Sequence, residues 1–253
     1  MKKLYTYIVL ILMVSYNANG ASLRNQISLL EASENIRMSS QEIVKNYLYY
    51  YYNHNKTKER EAIFKGLASL DEQFRLIAKS TKDEDSKDIL TFLDYSKDKI
   101  EKILLDPFNA DNPALMLDYS EVLLEGAETI SSNLKYKPSQ EEKILIKMKD
   151  IAFLTDRVIK YYMALLIEPD NLSYQEMLDD AIKDMEKDLS YINNYNYSSE
   201  NIQHILMIER NWSVLKSFLK DVRSSRVPNI VLIISSEVKK NAKILEDYHR
   251  KNQ

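Results

Sequence analysis

The sequence predicts an all-α protein: two tandem up-down four-helix bundles behind a signal peptide. Three observations carry that prediction. The 253 residues hold 3 Gly and 5 Pro while Lys, Glu, Leu, Ile and Tyr dominate, which favours helices over sheets or glycine-rich loops. Apolar residues recur at helical spacing between short polar breaks, and at 45% of the chain they suffice for a real core. The apolar pattern of the first half also returns in the second at one constant offset.

The chain opens on Met1-Lys2-Lys3, a mostly apolar run from Leu4 to Val14, and then Ala18-Asn19-Gly20-Ala21. A positive start, a short apolar stretch and small residues at the cut mark a secretory leader, residues 1–20, cleaved after Gly20. About a dozen apolar residues fall short of the ~20 needed to span a bilayer. No cysteine occurs anywhere, so a lipid anchor at the cleavage point is excluded and the redox state of the compartment is irrelevant. The mature protein is expected to be periplasmic or secreted. The formal charge of −3 becomes −5 once Lys2 and Lys3 leave with the leader, and no basic face is visible, so nucleic acid is rejected as a partner.

Prolines and polar clusters divide the remainder. Pro107, Pro113, Pro138, Pro169 and Pro228 stop or start helices. Further breaks fall at Asn53–Lys56, Ser80–Asp83 and Asn193–Ser198. Eight helical segments are expected between them: 22–54, 58–80, 85–105, 113–136, 139–168, 173–193, 199–222 and 228–250. Asp83 or Asp85, Ser173 and Ser198 are the expected N-caps.

Pairing Lys45 with Lys160 sets an offset of 160 − 45 = 115 that then holds without a gap. Ile36 falls on Ile151, Val44 on Ile159 and Tyr47 on Tyr162. In the second segment Ile63, Leu70 and Ile77 meet Leu178, Met185 and Ile192; in the third Leu93 and Ile100 meet Ile208 and Leu215. In the fourth Pro113 meets Pro228, Ser120 meets Ser235 and Ala127 meets Ala242. Shared heptads explain some apolar matches but not a proline and a lysine in the same register. Two four-helix units, 22–136 and 139–253, follow. Short connections make sequential neighbours antiparallel.

The first helix carries the candidate site. Arg37, Ser40, Gln41 and Val44 lie about a turn apart and share one stripe beside the apolar seam. The guanidinium offers paired N–H groups in a fixed fork that suits a planar oxyanion. Glu34, at i−3, is its obvious internal partner. The block resembles the first-helix signature of the type IV pili methyl-accepting chemotaxis transducer N-terminal (PilJ-type) family, relatives of NarX-like nitrate sensors, through Arg37, Met38, Ser40, Gln41 and Lys45. Glu42 replaces the family's second arginine. In the second copy only the later arginine survives, as Arg157, and Ala152 stands at the Arg37 position. The resemblance implies a sensory module in which the first arginines of two subunits hold a small, nitrate-like anion across a dimer. That role falls here on Arg37, with Ser40 and Gln41 beside it, and implies a possible homodimer through the first helix. No spanning or signalling segment follows the last helix, so the sensed state is expected to pass to a membrane chemoreceptor or sensor kinase.

Other constellations carry less. Tyr49-Tyr50-Tyr51-Tyr52 covers every side of a helix, which suits an interface, a pocket mouth, or a core with its rim. Glu246-x-x-His249 has di-iron spacing but occurs once, where such sites need it twice plus two further carboxylates. No phosphate loop, nucleophile elbow or convergent Ser/His/Asp set appears. No enzyme, metal or cofactor is expected. The competing class is a scaffold that binds a partner through the tyrosines and takes no small molecule.

Overall fold

The computed structural model describes the backbone of residues 2–53, 57–81, 83–134 and 138–252, with side chains from Asn25 onward, Thr57 apart. The expected leader and its cut after Gly20 therefore have side chains outside the described residues. So do parts of three expected breaks, at residues 54–56, 82 and 135–137. Eight α-helices and no strand occur among the described residues: α1 (Lys2–Asn53), α2 (Thr57–Ser80), α3 (Glu84–Leu105), α4 (Asn112–Ser132), α5 (Gln140–Ile167), α6 (Leu172–Ile192), α7 (Ser199–Leu219) and α8 (Pro228–Lys251). The all-α expectation is met. None of these helices is long and apolar enough to cross a membrane, among the described residues.

The boundaries follow from local chemistry. Asp83, not Asp85, caps α3, its carboxylate accepting the Ser86 N–H at 2.9 Å. Ser198 caps α7 as expected. The α6 cap is corrected from Ser173 to Asn171, whose side-chain oxygen takes the Tyr174 N–H at 3.2 Å while its amide donates to Glu168. That second bond anchors Asn171 to the end of α5, which Ser173 inside the first turn is not placed to do. Ser139 and Glu142 close a capping box at the start of α5. Pro113 and Pro228 sit in the first turns of α4 and α8, where a missing N–H costs nothing. The start of α1 differs most: it runs unbroken from Lys2 instead of from residue 22, no proline interrupting it.

Helix α1 packs against α2, α4 and α5; α3 packs against α2 and α4; α5 packs against α6 and α8, and α8 against α7. Contacts running in opposite directions along the two helices make most pairs antiparallel, such as Asp156–Lys239 and Glu141–His249 between α5 and α8. The exception is α1 with α5. Arg37 meets Asp150 and Lys45 meets Asp156, so the contacts advance together and these two helices are parallel. Near their first shared turns, one small pocket is lined by Ile27, Leu30, Glu31 and Glu34 from α1 and by Glu142, Leu145, Ile146 and Lys149 from α5. Each of those four pairs is 115 residues apart (142 − 27, 145 − 30, 146 − 31, 149 − 34). Positions at that offset also share burial: Ile36/Ile151, Val44/Ile159, Tyr47/Tyr162, Ile63/Leu178, Leu93/Ile208 and Ala127/Ala242 are all inside.

Two glycines set close approaches. A Cβ on Gly66 of α2 would stand 2.6 Å from Cγ1 of Ile43 on α1, and one on Gly126 of α4 would strike Leu93 on α3. Both allow a backbone to lie against a neighbour's side chain. At the end of α1, Tyr47 and Tyr49 are buried, while Tyr50 and Tyr51 are half-buried and pack their rings 5.3 and 5.5 Å from that of Phe108.

Candidate functional site

A cleft of about 290 Å³ opens along one face of α5. Lys147, Asp150, Phe153, Leu154 and Arg157 form its floor, since residues three, four and seven apart stack on one side of a helix. Arg37 of α1, with Leu124 and Glu128 of α4, makes one wall. Asp184, Lys187 and Asp188 of α6 make the other. The lining carries four cations and four carboxylates, so its formal charge is zero.

Arg37 is the most heavily engaged cation. Its Nη1 donates to Glu34 at 2.8 Å and to Asp150 at 3.3 Å, and its guanidinium lies 4.4 Å from the centre of the Phe153 ring. Glu128 approaches its Nε at 3.4 Å as a charge contact, yet Nε is buried with no hydrogen-bond acceptor among the described residues. Burial opposes the charge on Arg37, and Glu34, Asp150 and Glu128 outweigh it and raise its pKa. Burial raises the Glu34 carboxyl above its ordinary range despite Arg37. Asp188 is also pushed up, first by burial, with Asp150 and Asp184 adding to it; Lys147, which bridges Asp188 at 2.8 Å and Asp150 at 3.0 Å, opposes it. At the other end, Arg157 bonds Glu121 through both terminal nitrogens, at 3.2 and 3.0 Å, and turns Nη2 toward the Met177 sulfur at 3.9 Å.

Of the three residues the sequence singled out, Arg37 lines this cleft and the other two do not. Ser40 and Gln41 are fully buried: the Ser40 hydroxyl donates to the Arg37 carbonyl at 2.7 Å, and Gln41 Nε2 donates to Ser40 at 3.0 Å. The arginine stripe read along one helix is thus split between outside and inside. Arg157 of α5 lines the same cleft as Arg37. The remaining charged lining was missed, because charges at i, i+3 and i+10 on α5 (Lys147, Asp150, Arg157) look like any solvated face until α4 and α6 wall them in.

Below the cleft lies a buried ionic layer. Lys45 reaches from α1 to Asp156 on α5 at 2.8 Å, and Lys239 from α8 takes the other carboxylate oxygen at 2.5 Å. Burial opposes ionisation of Asp156, and the two lysines overcome it and hold its pKa below the usual value. Lys160, the residue 115 beyond Lys45, is fully buried and bonds Ser120 at 3.0 Å and Glu121, both on α4. Burial pulls the Lys160 ammonium down to about 8, against the pull of Glu121. Burial likewise opposes ionisation of Glu121, but Lys160 and Arg157 hold it at about 2. Lys45, Asp156 and Lys160 are shut away from solvent, and Glu121 and Lys239 reach it only in part, so the layer serves to specify how the helices pair.

The Glu246-x-x-His249 spacing resolves into separate partners. Glu246 pairs with Lys243 and Arg250, while buried His249 lies between Glu141 (3.1 Å) and the Tyr197 hydroxyl (3.1 Å). Trp212 is buried on α7. No protein-family model, curated protein or solved structure matches the chain.

Proposed function

We propose that the chain is an exported sensory or ligand-binding protein made of two four-helix units, 22–136 and 139–253. The cleft beside Arg37 takes the anionic group of a small ligand, and the occupied state passes to an envelope partner such as a membrane chemoreceptor or sensor kinase. One observation carries the reading: Arg37 from the first unit's leading helix and Arg157 from the second's line the same cleft. The parallel run of α1 along α5, with paired residues 115 apart, supports the two-unit architecture. It also supports an internal counterpart of the first-helix dimer implied by the PilJ-type resemblance, with α5 in the place of a second subunit. Glu128, about half exposed, is the partner an incoming anion displaces, and Arg37 Nε is the N–H left for it to fill. Titration calorimetry with nitrate, nitrite and acetate tests the reading. Binding with a rise in melting temperature, both lost in Arg37→Ala, is expected; no heat and no shift with any of them refutes it.

A second reading, a scaffold with no small-molecule ligand, is favoured by the three carboxylates already around Arg37 and by the half-buried tyrosines beside Phe108. A partner whose capture survives Arg37→Ala but not Tyr50→Ala would select it.

A further inference from the structure

The cleft is not uniform along its length. Asp150, Asp184, Asp188 and Glu128 gather at the end where α6 comes close to the start of α5, around Lys147, Lys187 and Arg37. That end is one cation short. Phe153, Leu124 and Leu154 make an apolar middle. Arg157 stands alone among the lining charges at the far end, seven residues beyond Asp150 on α5 and hence about 10 Å along the axis.

Each end also carries a group that its protein partners leave under-served. Lys147 is shared between Asp150 and Asp188, and burial pushes the Asp188 carboxyl up in pKa. Asp184, exposed on the rim, forms no ion pair among the described residues. Opposite, Glu121 occupies two donors of Arg157, and toward Met177 its Nη2 meets only a thioether sulfur at 3.9 Å, a weak acceptor.

We propose that the ligand of this cleft is a zwitterion, its ammonium among Asp150, Asp184 and Asp188 and its carboxylate at Arg157. A short apolar spacer lies over Phe153 and Leu154. Short ω-amino acids and dipeptides have this chemistry, with opposite charges several ångströms apart. A bare anion gains at one end and meets excess carboxylate at the other; a zwitterion satisfies both. This rests on the reading above that the cleft binds a ligand, but it moves the anionic group from Arg37 to Arg157 and replaces a simple anion with a dipolar molecule.

Calorimetry with three probes of matched length separates the two claims: 6-aminohexanoate, hexanoate and hexylamine. Expected is 6-aminohexanoate binding at least tenfold tighter than either of the others. Asp184→Asn, a rim change that leaves the buried pairs intact, should weaken 6-aminohexanoate about fivefold or more and leave hexanoate unchanged. Arg157→Lys should weaken 6-aminohexanoate and hexanoate alike, with folding monitored by circular dichroism. Hexanoate binding as well as 6-aminohexanoate overturns the zwitterion and leaves the anion reading standing. So does an Asp184→Asn protein that binds 6-aminohexanoate normally. If none of the three binds while nitrate or acetate does, the zwitterion alone is lost; if no probe binds at all, both readings go.

Discussion

Replacing Asp156 with Asn is the sharpest test of how the two halves are held together. The carboxylate is 1% exposed, sits 2.8 Å from Lys45 and 2.5 Å from Lys239, and joins α1, α5 and α8 at one point. Asparagine keeps the shape and loses the charge, leaving two ammonium groups facing a neutral amide. Lys239 retains Glu42 at 3.6 Å and partial access to water. Lys45 has Asp156 as its carboxylate partner and a side chain only 9% exposed, so it bears most of the cost. Breaking a buried pair by removing one member costs roughly 3–5 kcal/mol. For a chain of this size each kcal/mol lowers the melting temperature by about 2–4 °C, so a fall of roughly 6–20 °C is expected. Trp212, buried on α7, gives a fluorescence signal for urea unfolding in parallel with calorimetry. The double variant Lys45→Met/Asp156→Leu removes both charges and should recover at least half of the loss, since a well-packed apolar pair can replace a buried ion pair at little cost. A single variant that melts within 2 °C of the parent, or a double variant as unstable as the two singles summed, would refute the assignment of this pair as a coupled buried unit.

Three further outcomes follow from the same geometry. Because Lys160 and Arg157 hold the Glu121 carboxyl at about 2 against burial, its contribution is complete above the unfolded value near 4.5 and is lost as pH falls toward 2. That is about 3 kcal/mol at 1.36 kcal/mol per pKa unit. Glu34 and Asp188, with pKa values raised by burial, act oppositely, so stability should rise slightly into mild acid before the fall; Glu121→Gln should flatten the fall, read from urea midpoints between pH 2 and 7. Gly66→Ala places a methyl 2.6 Å from the Cγ1 of β-branched Ile43. The overpacking cost of about 1–3 kcal/mol should exceed the ~1 kcal/mol gained in helix propensity, a net destabilisation measurable in urea. With α5 against α1, the protein should elute as a monomer in light scattering; a stable dimer that Leu30→Glu disrupts would show that α1 still offers a surface to a second copy.

Helix number, order and approximate ends, the start of α1 apart, were legible because proline, polar breaks and helical periodicity are local properties. Where the sequence reading missed, the deciding partner was distant. Ser173 looks like a cap for α6, but Asn171 wins because Glu168, on the far side of the turn, fixes its amide. Arg37, Ser40 and Gln41 share a stripe in sequence, yet Glu128, Asp150 and Phe153, up to 116 residues away, draw Arg37 outward while Ser40 turns to its own backbone.

The offset of 115 shows both the reach and the limit of such reading. It links Lys45 with Lys160, and both lysines prove to be buried and both cross to helices of the other half, Lys45 to α5 and Lys160 to α4. Their counter-charges do not obey the offset. Asp156 lies 115 beyond Gln41, and Glu121 lies 115 before Ser236. Had both halves kept the same acid, two identical crossings would let α1 pair with another α1 as readily as with α5. With the acids placed differently, α1 supplies a buried lysine and α5 supplies its carboxylate, whereas a second α1 would set Gln41 opposite Lys45 and leave its ammonium without a counter-charge. Glu34 and Lys149, also 115 apart and lining the same seam pocket, repeat the logic with opposite signs. Charge divergence between equivalent positions therefore favours pairing within the chain over pairing between chains, a preference that neither half's apolar pattern contains.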